Sequence, residues 1–192
     1  MACSEEKGNS ERHEAILGRL LKTRTVLING EIDQELAEKV IAQLLVLDAE
    51  SHEPIRAIIT SQGGHVDSGF AISDIMRFVE SKLITLGAGW VASIAVPILL
   101  GGDKQNRYAL PNTRFLLHQP MGGAGGQVSD IRIEAQEILK IRERLNKLIA
   151  EETGQSVEKV ATDTDRNFWL TAEGALDYGL ISKVVASPKD MT

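Results

Sequence analysis

The sequence predicts an α/β protein built on largely parallel strands. Short aliphatic and β-branched runs alternate with longer stretches whose apolar residues recur every three or four positions, the pattern of strands separated by helices. The 192 residues suit one globular domain. Hydrophobic residues make up 43% and aromatics only 4%, so aliphatic side chains must build the core. No repeat or low-complexity tract interrupts the alternation.

Residues 1–15 are polar and charged, lack the apolar core of a secretory signal, and read as a flexible N-terminal segment ahead of a folded domain over 16–192. Ile16, Leu17, Leu20 and Leu21 fall at helical spacing and predict a short amphipathic helix. Thr25 to Asn29 is a strand. Asp33 is placed as an N-cap before an apolar stripe of Leu36, Val40, Ile41, Leu44 and Leu45. Ile55 to Thr60 is a strand and Ser61-Gln62-Gly63-Gly64 a turn, with Asp67 to Val79 helical. Leu83 to Leu86 is a strand and Ala92 to Leu100 a buried helix. Tyr108 to Leu110 and Arg114 to His118 are strands on either side of a Pro-Asn turn. Gln127 to Glu152 is the longest helix, about 35–40 Å at the usual rise. Thr171 caps a last helix that ends at Gly179, and Leu180 to Val185 is a final strand.

Charge and composition exclude several classes of function. The net charge is −6 with no basic run, which disfavours phosphate backbones and hence nucleic acid. A single cysteine, Cys3, leaves no intrachain disulfide and no multi-cysteine zinc site; it fits a reducing, cytoplasmic setting. No cofactor or metal is expected. Leu83 to Gly102 runs twenty residues without a charge, long enough to span a membrane. Its four glycines, Pro97 and two hydroxyls, with no Lys/Arg asymmetry at its ends, point instead to a buried strand, a sharp turn and a buried helix.

The long helix carries Ile131, Ala135, Ile138, Leu145 and Ile149 on one face, widened by Ile141 and Leu148, and charges on the other. It either lies across its own core or overhangs it and needs a partner. Ser93, in Gly89-Trp90-Val91-Ala92-Ser93, falls between a strand and a buried helix. There it is a cap, a packed small residue, or a nucleophile set at a helix N-terminus. His118 ends an apolar strand and reads as a structural histidine or as a base. Ser61-Gln62-Gly63-Gly64 offers backbone N–H groups to an oxyanion, as many glycine turns do.

Taken in order, these segments resemble the ClpP family, the proteolytic subunits of the Clp protease, from about Ile16 to Val185. The matching runs are Gly63-Gly64 with Gly69-Phe70-Ala71-Ile72, Gly89-x-x-Ala92-Ser93, Arg107-Tyr108-Ala109-Leu110-Pro111-Asn112 and His118-Gln119-Pro120-Met121-Gly122-Gly123. Gly126-Gln127, Thr153-Gly154-Gln155, Asp163-Thr164-Asp165-Arg166 and Tyr178-Gly179-Leu180-Ile181 follow. The resemblance implies a crotonase-like α/β fold with the long helix protruding as a handle between two stacked seven-membered rings. It implies serine endopeptidase chemistry with Ser93 as nucleophile, His118 as general base and the N–H groups of Gly64 and Ile94 as oxyanion hole. Peptide would lie extended beside Met121, Gly122 and Gly123, pairing as an added strand. Asp165 and Arg166 match a pair used in ring-to-ring contact, and an AAA+ unfoldase would feed the chamber, directly or through a partner ring.

Three departures qualify this picture. The third triad position, an aspartate in the family, is Asn167 here. An amide accepts the imidazole N–H but brings no charge to the imidazolium, and the same swap in a trypsin-like site costs about 10⁴ in kcat. The usual Ser-Pro-Gly-Gly reads Ser61-Gln62-Gly63-Gly64, without proline's rigidity. Arg56-Ala57-Ile58-Ile59 lacks the tyrosines expected around an unfoldase-docking pocket. The expectation is therefore a weak or conditional peptidase that assembles with a second proteolytic subunit. The alternatives are a catalytically silent ring subunit and, from another class, an acyl-CoA hydratase or isomerase of related fold. The Ser93–His118 pair argues against the last.

Overall fold

The computed structural model describes residues 15–123 and 125–191; the expectation for the N-terminal segment up to residue 14 lies outside them. The described part of helix α1 covers 15–22. Then follow β1 (Thr25–Ile32), α2 (Gln34–Glu50), β2 (Ile55–Gly64), α3 (Val66–Phe78), β3 (Leu83–Ala92), α4 (Ala95–Leu99), β4 (Arg107–Ala109) and β5 (Arg114–Leu117). The chain ends with α5 (Val128–Thr153), α6 (Val157–Asp163), β6 (Phe168–Leu170), α7 (Ala172–Tyr178) and β7 (Lys183–Val184). The α/β class and the parallel pairing agree with the sequence pattern, and the architecture is that of the crotonase-like fold.

The sheet runs β1-β2-β3-β4-β7, all parallel, and forks at β3. The first half of β3, Thr85 to Gly87, pairs with β4, while Trp90 to Ala92 pairs with β5. Gly89 between them has φ +66, a left-handed conformation that glycine adopts without strain, and it lets one strand serve two neighbours. The expected strand ending at Leu86 is thus too short, and the expected helix from Ala92 shrinks to Ala95–Leu99, because the glycines bend the strand without ending it. β6 closes the fork antiparallel to β5. Neither α6 nor β6 stood out in the sequence; each is a few residues long, below what periodicity resolves.

Valine, isoleucine and leucine from β1, β2 and β3 pack with α2, α3 and α4 into one core, with Ile28, Ile59 and Leu99 wholly buried. Asp33 caps α2 as expected, accepting the Leu36 N–H at 2.8 Å. Thr171 caps α7, which ends on Gly179 in the left-handed region. The Leu180–Val185 strand contracts to two residues. Under the open end of α4, the Arg107 guanidinium is buried. It donates to the carbonyls of Leu100 and Gly102 and to Glu152 on α5.

α5 is the protruding handle. Its C-terminal half buries Leu145, Asn146, Ile149 and Ala150, whereas Ile131, Ile133 and Leu139 in the first half are exposed. The overhang expected of the sequence is therefore present. Among the described residues no helix is long and apolar enough to cross a membrane.

Candidate active site

Four adjacent strands end side by side. β2 pairs β3 with Ser61 opposite Val91, which brings Gly63 beside Ser93. A Cβ on Gly63 would lie 2.6 Å from the Ser93 Cβ, so only glycine fits. β3 pairs β5 with Ala92 opposite Leu116, and the Ser93 N–H donates to the Leu116 carbonyl at 2.9 Å. β5 pairs β6 with Leu117 opposite Phe168, so His118 and Asn167 are the residues that follow and precede this last pair. Gly63 and Ser93 stand together, with His118 and Asn167 just beyond the neighbouring strand ends. They lie at the C-terminal end of the parallel strands, where α/β sheets commonly carry their sites.

Ser93 has φ 56, one of two non-glycine residues with positive φ among those described. Such a conformation costs on the order of 1–3 kcal/mol and is held here by packing. It turns the chain sharply from β3 into α4 and lifts the side chain out of the strand. α3 fixes the far side of this turn. A Cβ on Gly69 would fall 2.2 Å from Ile94 Cγ1, so Gly69 admits the close approach that seats Ile94. Ile94 is the N-cap residue of α4, and helix geometry leaves its N–H without an intrahelical acceptor.

Gly64 lies at φ 152 with its Cα pressed against Ile32; a Cβ would stand 2.3 Å from the Ile32 carbonyl oxygen. The expected turn over Ser61 to Gly64 is in fact the last stretch of β2, held there by parallel pairing through Ile32. The buried Ser61 hydroxyl organises it, donating to the Gly30 carbonyl at 2.5 Å and accepting the Gly63 N–H at 3.0 Å.

Ser93 and His118 line the same small cavity, with Ile94, Pro97, Leu145 and Thr164 around them; Asn167 does not line it and is exposed. Burial pushes the His118 imidazole below its ordinary value of 6.5, which keeps it neutral and able to accept a proton. Among the described residues no hydrogen bond joins Ser93, His118 and Asn167. The cavity brings Ser93 and His118 together, whereas Asn167 lies outside it.

Met121 and the two glycines after it are exposed beside the handle, and a Cβ on Gly122 would come within 2.9 Å of Ile138 Cδ1. Asp165 pairs with Arg142 of the handle at 3.1 Å, while Arg166 is exposed. Sequence reasoning missed Gly69's part in seating Ile94 and the buried pair of Thr164 and Asn146; burial of a threonine or asparagine leaves no periodic signal. Among the described residues no group of His, Cys, Asp or Glu could hold a metal ion.

A family model described as Clp protease matches residues 7–188. The chain is 49% identical to the ATP-dependent Clp protease proteolytic subunit 3 of Rhizobium etli, over 98% of this chain and 100% of that one. It is 45% identical to the ATP-dependent Clp protease proteolytic subunit 2 of Pseudomonas aeruginosa, over 98% and 96%. Among solved structures, a ClpP1 from Listeria monocytogenes carrying an asparagine-to-aspartate mutation superimposes with a TM-score of 0.86. That match has 47% identity and covers 92% of this chain and 99% of that one.

Proposed function

The chain belongs to the Clp protease family, and from that premise we propose that it is a serine endopeptidase subunit whose activity depends on its assembly. Ser93 attacks the scissile carbonyl, and His118 takes the hydroxyl proton and returns it to the leaving amine. The N–H groups of Gly64 and Ile94 meet the oxyanion that develops. The observation that carries this reading is the strained Ser93, held against Gly63 in the cavity that contains His118. No cofactor is required.

Substrate enters as an extended strand beside Met121, Gly122 and Gly123, held by backbone pairing with little side-chain selection. Asn167 fills the third position, where an amide brings no charge to the imidazolium, so turnover by this subunit alone is weak. The handle stacks two rings and excludes bulk solvent from the chamber, with Asp165 exchanging its Arg142 partner for a contact across the rings with Arg166. The exposed apolar handle supports such an assembly, as do the half-exposed Trp90 and Trp169. Several relatives carry numbered subunit names, and a second, better-equipped proteolytic subunit is the partner that would complete the particle. An AAA+ unfoldase docks through that partner ring, in the cytoplasm.

A second reading is a silent ring subunit, favoured by the missing hydrogen bonds around His118. A fluorophosphonate probe separates the two. The full chain is exposed to it alone and mixed with a second Clp proteolytic subunit, beside Ser93→Ala. Labelling of this subunit in the mixture, lost in Ser93→Ala, is expected; no labelling in either state would leave the scaffold reading.

A further inference from the structure

The His118 ring is held by no hydrogen bond of its own among the described residues. Its place is set by its neighbours in the chain: Leu117 in the β5 ladder on one side and Gln119 on the other. Gln119 is fastened twice. Its N–H donates to the Thr164 carbonyl at 2.7 Å, and its side-chain amide donates to the Asp165 carbonyl at 2.7 Å. The β5–β6 register, continued, would set Gln119 opposite Arg166. Both bonds reach past that partner and close the open end of the strand pair just beyond His118 and Asn167.

Thr164 is 1% exposed. Its hydroxyl lies 3.0 Å from Asn146 Oδ1 and 2.8 Å from the Val160 carbonyl, sharing one proton between two acceptors. Asn146 is buried on α5 where the handle rejoins the core. The bonds thus run from the base of the handle through Asn146, Thr164 and Gln119 to the residue beside His118. We infer that Gln119, anchored through Thr164 and Asn146, is a positioning residue for His118, fixing the distance of the imidazole from Ser93 and from the Asn167 segment. This rests on the reading of Ser93 and His118 as the reactive pair. It also gives handle packing a direct path to the site: a handle displaced at Asn146 moves the imidazole.

The test uses the full chain with its partner subunit and three variants. Gln119→Glu keeps the size of a half-exposed side chain but, ionised, cannot donate to the Asp165 carbonyl. Thr164→Val removes the buried hydroxyl at equal volume, and Thr164→Ser restores it. The probe is the fluorophosphonate, with a peptide substrate for kcat and KM and histidine-selective NMR of the His118 ring. Gln119→Glu and Thr164→Val should slow labelling and kcat by about ten- to a hundred-fold with KM little changed, since misplacing a reacting group by about 1 Å costs on that order. Thr164→Ser should recover most of the rate. In Thr164→Val, which adds no charge, the His118 titration should move up toward 6.5 as water reaches the ring, since no other titratable side chain lines that cavity.

Folded Gln119→Glu with unchanged kcat would overturn the inference, as would an unchanged His118 titration in Thr164→Val or a Thr164→Ser as slow as Thr164→Val. If the wild-type chain takes no probe, the peptidase reading fails. The His118 titration in Thr164→Val, which needs no turnover, still decides whether the anchor of Gln119 on Thr164 governs the ring.

Discussion

Asn167 and His118 flank the last pair of β5 and β6, yet Asn167 carries no charge and makes no hydrogen bond to the ring. A carboxylate there would stabilise the imidazolium that forms as Ser93 attacks. Asn167→Asp should therefore raise kcat by on the order of 10²-fold or more, measured on a fluorogenic peptide with the assembly unchanged by sedimentation. A second prediction follows from burial, which pushes His118 below 6.5. The neutral ring is the base, so labelling of Ser93 should rise with pH through a midpoint under 6.5 and be level at neutrality; a rate still climbing above neutral pH would assign the base elsewhere. The same shift acts on stability. The unfolded imidazole binds its proton more tightly, so His118 costs stability as pH falls below 6.5, and that cost levels off once the folded ring protonates too. At this scale the sequence disclosed Ser93 and His118 through their neighbours. It could not disclose φ 56 at Ser93 or the bonds of Gln119, which depend on strands that meet only in the fold.

Elements divide by how far their stability is local. The caps on Asp33 and Thr171 and the 26-residue handle were legible because capping oxygens and helical periodicity are written within a few turns. The end of β2 was not, since Ser61 to Gly64 has turn composition and becomes a strand only by pairing with β1. Two glycines that end helices show the difference in energy. Gly154 has φ 76 and open space around it, while a Cβ on Gly179 would lie 2.5 Å from the Thr153 carbonyl oxygen. Gly154→Ala should cost about 1 kcal/mol. Gly179→Ala should cost clearly more, because backbone must also move; paired thermal melts check the order. On the handle, Ile133 and Leu139 are exposed in the single chain. Ile133→Lys with Leu139→Lys should leave the chain's own stability within about 0.5 kcal/mol and still break the particle into smaller species in sedimentation velocity.

At the scale of the whole molecule, Glu152 ties α5 to α3 and β4 through Arg77 and Arg107. Burial raises its carboxyl, but the hydrogen bond and charge of Arg107 outweigh this and hold it below the ordinary 4.5. Its contribution to stability is complete above that value and is lost as pH falls through the lower folded one. Arg107→Met would leave the half-buried carboxylate with Arg77 alone and the Gly102 carbonyl without its donor, and should cost about 3 kcal/mol at neutral pH, less in acid where Glu152 takes a proton, read by urea melts at both. The sequence by itself determined the class of fold and the long amphipathic helix, and its ordered motifs pointed to the serine, histidine and asparagine, because periodicity, caps and motifs are properties of neighbouring residues. Only the tertiary structure decided that β3 forks, that the ends of β2, β3, β5 and β6 align in one row, and that Thr164 and Asn146 lie buried behind it. Pairing register and burial depend on residues far apart in the chain, which no local pattern encodes.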